Sequence, residues 1–469
     1  MCLTIPGKIL SINEGIATIQ NAREKAQIDL GLVFGAKVGD WVLYATNRAV
    51  KLISEDDAKE IISLLEDNYH PVDVSRLPLQ FKKIIFKVRS RNTDNRIQIT
   101  EGDKGQSEYD LTKEEIEYLL NLKGKNNLET LFAEANTLRK DQIDDFVCIH
   151  GIIEFSNYCR NNCLYCGIRK DNKNIQRYRI NPKELINIAE EAVEKEGYKL
   201  LVLQSGEDMS YSDDELIELI KNIKKRAKVF IFLSVGNRSR EFYKNAFRAG
   251  ATGTLFRFET SNEELYKKMH PGDSVDNRLQ LLRYQQKLGY YIATGSLVGL
   301  PSQTISDIAD DLLLTKKLGI PMISSGPWLA AQGTPLAPSV ILSGTKNLAK
   351  RAAFGLDPSA LPQDDKKTQM ELFLKYIAVA RFLMPEIKIP VTTALETLDP
   401  ENGRHRGLLA GANALMFNLT PEKYAGKYSI YDNKYREREK VWQKYGLFKG
   451  EESYEMLEER LMIDIKDDK

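Results

Sequence analysis

The chain has 469 residues, 42% hydrophobic and 28% charged, enough for one large domain and a smaller one. Lysine and arginine number 67 against 66 acids, a net charge of +1, which argues against a dedicated nucleic-acid binder with its strong basic excess. No run of about 18 apolar residues suggests a membrane-spanning helix, and the opening MCLTIPGKI lacks the cationic and apolar stretches of a secretory signal.

Residues 1–69 carry short β-type runs at Lys8–Ile12, Ile16–Gln20, Lys25–Leu30 and Trp41–Tyr44, with turn signals at Asn13-Glu14-Gly15 and Gly39-Asp40. Ser54, with Asp57 three residues on, is placed to cap a helix that sets Ala58, Ile61, Ile62 and Leu65 on one face. The expectation is a small, OB-like β-barrel with a terminal helix. Residues 70–108 read as a connector broken by Pro71 and Pro78. Seven basic residues and one acid, Asp94, fall between Arg76 and Ile99, expected as a solvated basic edge or hairpin, with a docking surface for an acidic partner as the alternative. No aromatic interleaving there suggests stacked bases.

From residue 109 to about 435, eight apolar runs alternate with amphipathic stretches: 151–155, 200–204, 229–235, 252–258, 292–298, 322–327, 389–394 and 413–418. Helical patterns at 182–196, 213–226 and 303–318 lie between them. Eight such alternations predict a parallel (β/α)8 TIM-type barrel, whose chemistry sits at the C-terminal ends of the strands. Residues 436–469 read as a charged helical tail.

There are 5 cysteines, and three of them, Cys159, Cys163 and Cys166, follow the first barrel strand in a CxxxCxxC pattern. This usage suits a reducing compartment, hence a cytoplasmic protein, and a metal site instead of a disulfide scaffold. Three soft thiolates this close can hold three irons of a 4Fe–4S cluster. The fourth iron stays open to a chelator such as the amino and carboxylate groups of S-adenosylmethionine. A zinc knuckle is the competing reading, but zinc wants a fourth protein ligand and the loop has no histidine. Cys148, just before the first strand, reads as an inert buried thiol.

These residues resemble the radical S-adenosylmethionine superfamily, in which the aromatic before the last cysteine, here Tyr165, lies near adenine. Ser205-Gly206-Glu207 after the second strand resembles the family's GGE-type motif, which receives the methionine amino group. More narrowly, Glu154 to Asn161, Leu203 to Asp208, Arg257 to Thr260, Gly299-Leu300-Pro301, Thr334 to Ala337, Thr392-Thr393-Ala394 and Asn418 to Pro421 are similar to the HydE family of FeFe-hydrogenase maturation. That resemblance implies that Arg257, Glu259 and Arg278 contact S-adenosylmethionine. Met322, Thr392, Thr393 and Met416 are expected to point from strand ends into the cavity. Tyr424 and Tyr428 either cap that cavity or pack a loop, and Gly295, Gly299 and Gly326 are placed to let a ligand approach the backbone. The chain departs from the family at Phe258, where His is frequent, and at Trp328 to Gln332, where a Pro/His-containing stretch is usual. It has no cysteine after Cys166, so the second cluster of some members is not expected.

Met1-Cys2-Leu3-Thr4-Ile5-Pro6-Gly7-Lys8 and Val38 to Leu43 resemble the HypC family of NiFe-hydrogenase maturation chaperones, whose second-position cysteine binds an iron carrying CO and cyanide. Removal of Met1 would leave the Cys2 thiolate beside a free amine, both able to ligate iron. Tyr44 stands where that family usually has His. The two resemblances together imply a radical enzyme acting on an iron–carbonyl–cyanide precursor, an Fe-CO/CN synthon presented or received at Cys2, with other hydrogenase maturation proteins and an electron donor as partners. A small organic substrate, as in biotin synthase or methylornithine synthase, and a non-catalytic iron-carrying scaffold stay open as alternatives.

Overall fold

The computed structural model describes residues 5–435 except 14, 22–24, 32, 34, 46–47, 60–76, 95–109, 144–146 and 338–365. The expectations for Cys2, for the first helix beyond residue 59 and for the tail 436–469 lie outside the described residues.

Strands β1 (Ile5–Asn13), β2 (Ile16–Gln20), β3 (Lys25–Asp29), β4 (Trp41–Ala45) and β5 (Arg48–Ile53) close a barrel in the order β1-β2-β3-β5-β4. Gly15, at φ 84°, makes the tight β1–β2 turn in a region closed to most side chains. Ile9, Ala17, Ile19, Ile28, Val42 and Ala49 fill the interior. The fifth strand is absent from the predicted runs, because Arg48 and Lys51 break its apolar pattern and its fully buried Ala49 is small. Ser54 accepts the Asp57 N–H at 3.0 Å and caps a helical turn at residues 55–59, as the sequence predicts. Tyr44 is a core residue of this barrel whose hydroxyl accepts from the Asn21 amide.

The basic segment is a helix, α1 (Leu79–Asp94), where a solvated edge or hairpin was expected. Phe81, Ile84, Ile85 and Val88 repeat at helical spacing and enter the core of the large domain. The basic residues take another face, where Lys87 and Arg89 pair with Glu115 of α2 (Lys113–Leu120) and Glu134 of α3 (Lys125–Ile143). This stretch is therefore part of the large domain.

The eight expected strands are present in the expected order: β6 (Cys148–Ser156), β7 (Leu200–Ser205), β8 (Phe230–Ser234), β9 (Gly253–Leu255), β10 (Tyr291–Thr294), β12 (Met322–Ile323), β14 (Pro390–Val391) and β15 (Ala414–Asn418). They form one parallel sheet, β12-β10-β9-β8-β7-β6-β15-β14. A bridge between Met322 and Lys388 draws its two edges together, so the (β/α)8 barrel is nearly closed. Burial on both faces explains why these strands read as continuous apolar runs. Two of the runs are broken. The fifth bends after Thr294 into β11 (Leu297–Val298), and the sixth after Ile323 into β13 (Gly326–Pro327); these short pieces pair with each other. Gly295 is required at the bend, since a Cβ there would meet the Ser325 hydroxyl at 2.3 Å. The seventh run ends early, because Thr392, in extended conformation, starts a short helix, α11 (Thr393–Leu398).

The covering helices α4 (Pro182–Glu194), α5 (Asp213–Arg226), α6 (Arg240–Arg248), α7 (Glu263–Met269), α8 (Val275–Lys287) and α9 (Ile305–Lys317) start at polar caps. Ser212 with Glu215 and Thr304 with Asp307 form reciprocal capping boxes. After α10 (Lys366–Leu383), α12 (Gly403–Leu409) leads into β15, and α13 (Glu422–Ala425) follows it. At the N-terminal mouth of the barrel, the fully buried Arg381 donates to the carbonyls of Gly411, Pro385 and Ile387 and to Asn413 Oδ1.

Candidate active site

Every strand end on the C-terminal side of the barrel feeds one cavity of about 250 Å³. Its first wall is the loop after β6. That loop has little regular structure, so its carbonyls are satisfied from side chains. Asn157 donates to the carbonyls of Gln176 and Lys427 at 2.8 Å each. Arg177 reaches the carbonyls of Ile168 and Arg169 at 2.8 and 2.7 Å, and Arg169 donates to Cys163 O at 3.2 Å. These braces present Cys159, Cys163 and Cys166 to the cavity as free thiols.

The bare thiols are protonated. Burial raises all three, and the neighbouring sulfurs add to it at Cys163 and Cys166, the latter pushed up to about 12. A cation is needed to hold them as thiolates. Among the described residues no three His, Cys, Asp or Glu side chains are placed to hold a single metal ion. The Glu207 N–H already points at Cys159 Sγ, 3.4 Å away.

The end of β7 brings Ser205, Gly206 and Glu207 to the wall directly beside that loop. Only glycine fits at 206, since a Cβ would lie 2.2 Å from Tyr158 O and 2.8 Å from Cys159 Cβ. The Glu207 carboxylate accepts from Arg160 Nε at 3.0 Å and from the Asn237 N–H at 2.8 Å. Arg278 Nη2 lies 3.9 Å from it. Arg278 is itself held by Tyr266, to which its Nε donates at 2.7 Å, and by Asp273 at 3.3 Å.

After β9, Arg257 and Glu259 line the cavity with Nε and Oε2 3.3 Å apart. Glu259 sits at φ 68°, a left-handed conformation that costs a non-glycine residue roughly 1–2 kcal/mol. Its N–H bonds Gly295 O and its carbonyl accepts from the Leu297 N–H at 2.8 Å, so the bend between β10 and β11 enforces it. Such strain collects at functional sites. Three buried polar atoms of cavity residues, Glu259 Oε2, Trp328 Nε1 and Thr392 Oγ1, make no hydrogen bond within the protein. They are the complement a polar ligand would satisfy.

The other expected residues divide. Thr393 and Met416 line the cavity with Thr392 and Gly326. Met322 does not; it packs with Ile152, Phe232 and Ala293 in the barrel interior. Tyr428 lines the cavity, whereas Tyr424 packs a loop, stacked on Tyr178 and hydrogen-bonded to Glu184 at 3.0 Å. Of the two family departures, Phe258 is fully buried against Tyr266 and Val275, and Trp328 faces the cavity. Cys148 opens β6 at the far mouth of the barrel; Lys388 and His150 outweigh its burial and lower its thiol to about 6, so it is less inert than expected.

Sequence reasoning missed His270. It stands at the C-terminal end of α7, 107 residues from Cys163, yet its Nδ1 lies 3.2 Å from Cys163 Sγ and its Nε2 3.0 Å from the Tyr165 hydroxyl. No spacing within the cysteine loop could have pointed to it.

Comparison with known proteins agrees with this architecture. Residues 153–315 match the Radical SAM superfamily and residues 1–65 the HupF/HypC family. The FeFe-hydrogenase maturase subunit HydE of Thermotoga maritima is 40% identical over 325 residues, covering 69% of this chain and 85% of its own. The 3-methylornithine synthase of Methanosarcina barkeri is 28% identical over 344 residues, 72% of this chain and 88% of its own. A crystal structure of methylornithine synthase superposes with a TM-score of 0.60 at 25% identity, covering 82% of this chain and 95% of that one.

Proposed function

The chain belongs to the HydE family of hydrogenase maturases within the radical SAM superfamily, and from that premise we propose that it cleaves S-adenosylmethionine reductively and turns the product on a cysteine-bound iron carrying CO and cyanide. When bound, a reduced 4Fe–4S cluster supplies the electron that breaks the carbon–sulfur bond of S-adenosylmethionine and yields the 5′-deoxyadenosyl radical. Cys159, Cys163 and Cys166 would hold three of its irons. The observation that carries the reading is their convergence, with Glu207, Arg257, Glu259 and Arg278, on one cavity.

Each residue has a task within this reading. The Arg257 and Arg278 guanidiniums suit the methionine carboxylate. Glu207, with the Ser205-Gly206 backbone, suits the methionine amine, and the unsatisfied Glu259 oxygen suits an amine or ribose hydroxyl. Tyr165 forms the wall beside adenine. Thr392, Thr393, Met416 and Trp328 line the remaining chamber, where the substrate would sit. The apolar floor excludes water, which would otherwise quench a radical.

The N-terminal HypC-like domain is assigned the exchange of iron–carbonyl–cyanide species through Cys2. Tyr44, a core residue of that barrel, leaves its usual histidine function unfilled, so docking to other maturation proteins is the larger part of its role. We assign the reaction to an anaerobic cytoplasm with an electron donor; among the described residues no helix is long and apolar enough to cross a membrane. The test is 5′-deoxyadenosine release from anaerobically reconstituted, reduced protein, with and without a cysteine-bound iron dicarbonyl cyanide complex. Strong stimulation is expected. Cleavage indifferent to the complex would send the search to an organic substrate, and no cleavage by cluster-loaded protein would leave a scaffold.

A further inference from the structure

His270 is clamped on every side. Its ring stacks on Tyr266 at 4.4 Å and 14° and meets the edge of Tyr165 at 5.4 Å and 76°. Its backbone N–H bonds Tyr266 O at 2.8 Å, and the residue is 4% exposed. Tyr266 is fixed in turn by Arg278 and by Asp273, 3.0 Å from its hydroxyl.

An imidazole that donates through one ring nitrogen can accept through the other. A thiolate that ligates iron only accepts, so the nitrogen facing Cys163 must carry the proton. The other nitrogen is then an acceptor, matching the hydroxyl that Tyr165 offers at 3.0 Å. The opposite tautomer would set a nitrogen lone pair against sulfur at 3.2 Å. One tautomer therefore satisfies both ends, and it couples a ligating sulfur to the aromatic wall beside it.

We propose that His270 is a positioning residue for the cluster: its Nδ1–H donates to Cys163 Sγ and raises the potential at which the cluster accepts an electron, while its Nε2 fixes the Tyr165 ring. A hydrogen bond to a ligating thiolate offsets its negative charge and so favours the reduced state. The inference rests on the reading that Cys163 ligates a 4Fe–4S cluster.

The test is an EPR-monitored redox titration of full-length, reconstituted protein without S-adenosylmethionine. His270→Phe keeps a ring on Tyr266 but has no donor, and its midpoint potential is expected to fall below wild type. His270→Gln restores an N–H and is expected to recover much of the difference. A His270→Phe cluster titrating with wild type, or Phe and Gln variants moving together, overturns the proposal. Should His270→Phe load no cluster, Tyr165→Phe decides. That variant frees the tautomer and is expected to titrate below wild type; an unmoved potential overturns the proposal. A wild-type protein that holds no cluster overturns this inference together with the functional reading, whereas a loaded wild type with unmoved variants overturns this one alone.

Discussion

Gly206→Ala probes how closely the β7 loop is fitted to the cysteine loop. The added methyl would lie 2.2 Å from Tyr158 O and 2.8 Å from Cys159 Cβ, where ordinary contact begins near 3.4 Å. Relief requires a displacement of about 1.2 Å, and its obstacles are backbone and the Cβ of a proposed ligand, which cannot rotate away. Glycine's conformational freedom plays no part, since Gly206 is not among the glycines at positive φ. Overpacking of this kind costs about 1–3 kcal/mol, too little to unfold a domain of this size. Misplacement by about 1 Å can nevertheless lower a reaction rate by about a hundredfold. The variant is expected to fold with native circular dichroism, to incorporate less iron, and to release 5′-deoxyadenosine at about one hundredth of the wild-type rate or less. Gly326→Ala is the control, because its methyl meets nothing closer than Thr392 Oγ1 at 3.2 Å, the end of a side chain across the same cavity. Wild-type iron content and cleavage in Gly206→Ala would show that the two loops are not closely fitted here.

Other residues give further tests. Glu259→Gln weakens the cavity carboxylate whose Oε2 pairs with Arg257 yet accepts no hydrogen bond; the loss of a charge-assisted hydrogen bond to the ligand, about 1.5–3 kcal/mol, predicts S-adenosylmethionine binding at least about tenfold weaker by equilibrium dialysis, and an unchanged affinity removes Glu259 from the site. Arg381→Met leaves the carbonyls of Gly411, Pro385 and Ile387 without their donor in a fully buried setting, so the urea midpoint should drop by the equivalent of about 3–5 kcal/mol; a drop below about 1 kcal/mol would contradict this. Asp311 is fully buried, and burial raises its carboxyl to about 7, above its unfolded value near 3.8, against the pull of hydrogen bonds from Ser261. Folding therefore favours the protonated form, and its contribution is complete below the unfolded value and lost as pH rises to about 7. The stability of Asp311→Asn relative to wild type should grow across that window by up to about 4 kcal/mol, and parallel pH profiles would show that Asp311 stays ionised.

The barrel and the cysteine loop were legible because local chemistry dictates them: doubly buried strands leave continuous apolar runs, and three thiolates in eight residues have few other uses. What was misread depends on packing. Basic residues hid the stripe Phe81, Ile84, Ile85 and Val88, although its spacing was in plain view. The bends at Gly295 and Ser324 arise from tertiary hydrogen bonds that no run of residues records. Met322 and Met416 share one interior cluster, and only the three-dimensional register brings Met416 onto the cavity wall as well. His270 reaches the site across three covering elements, and the four histidines of the chain carried no pattern that marked it.

In the proposed site three cysteines hold a cluster with one iron left for S-adenosylmethionine. The most direct measurement is the EPR spectrum of the anaerobically reconstituted, reduced protein before and after S-adenosylmethionine is added. The expected result is about four irons per chain and a spectrum whose g-values shift on addition, with the shift abolished in Arg278→Ala. A loaded cluster whose spectrum ignores S-adenosylmethionine would contradict it.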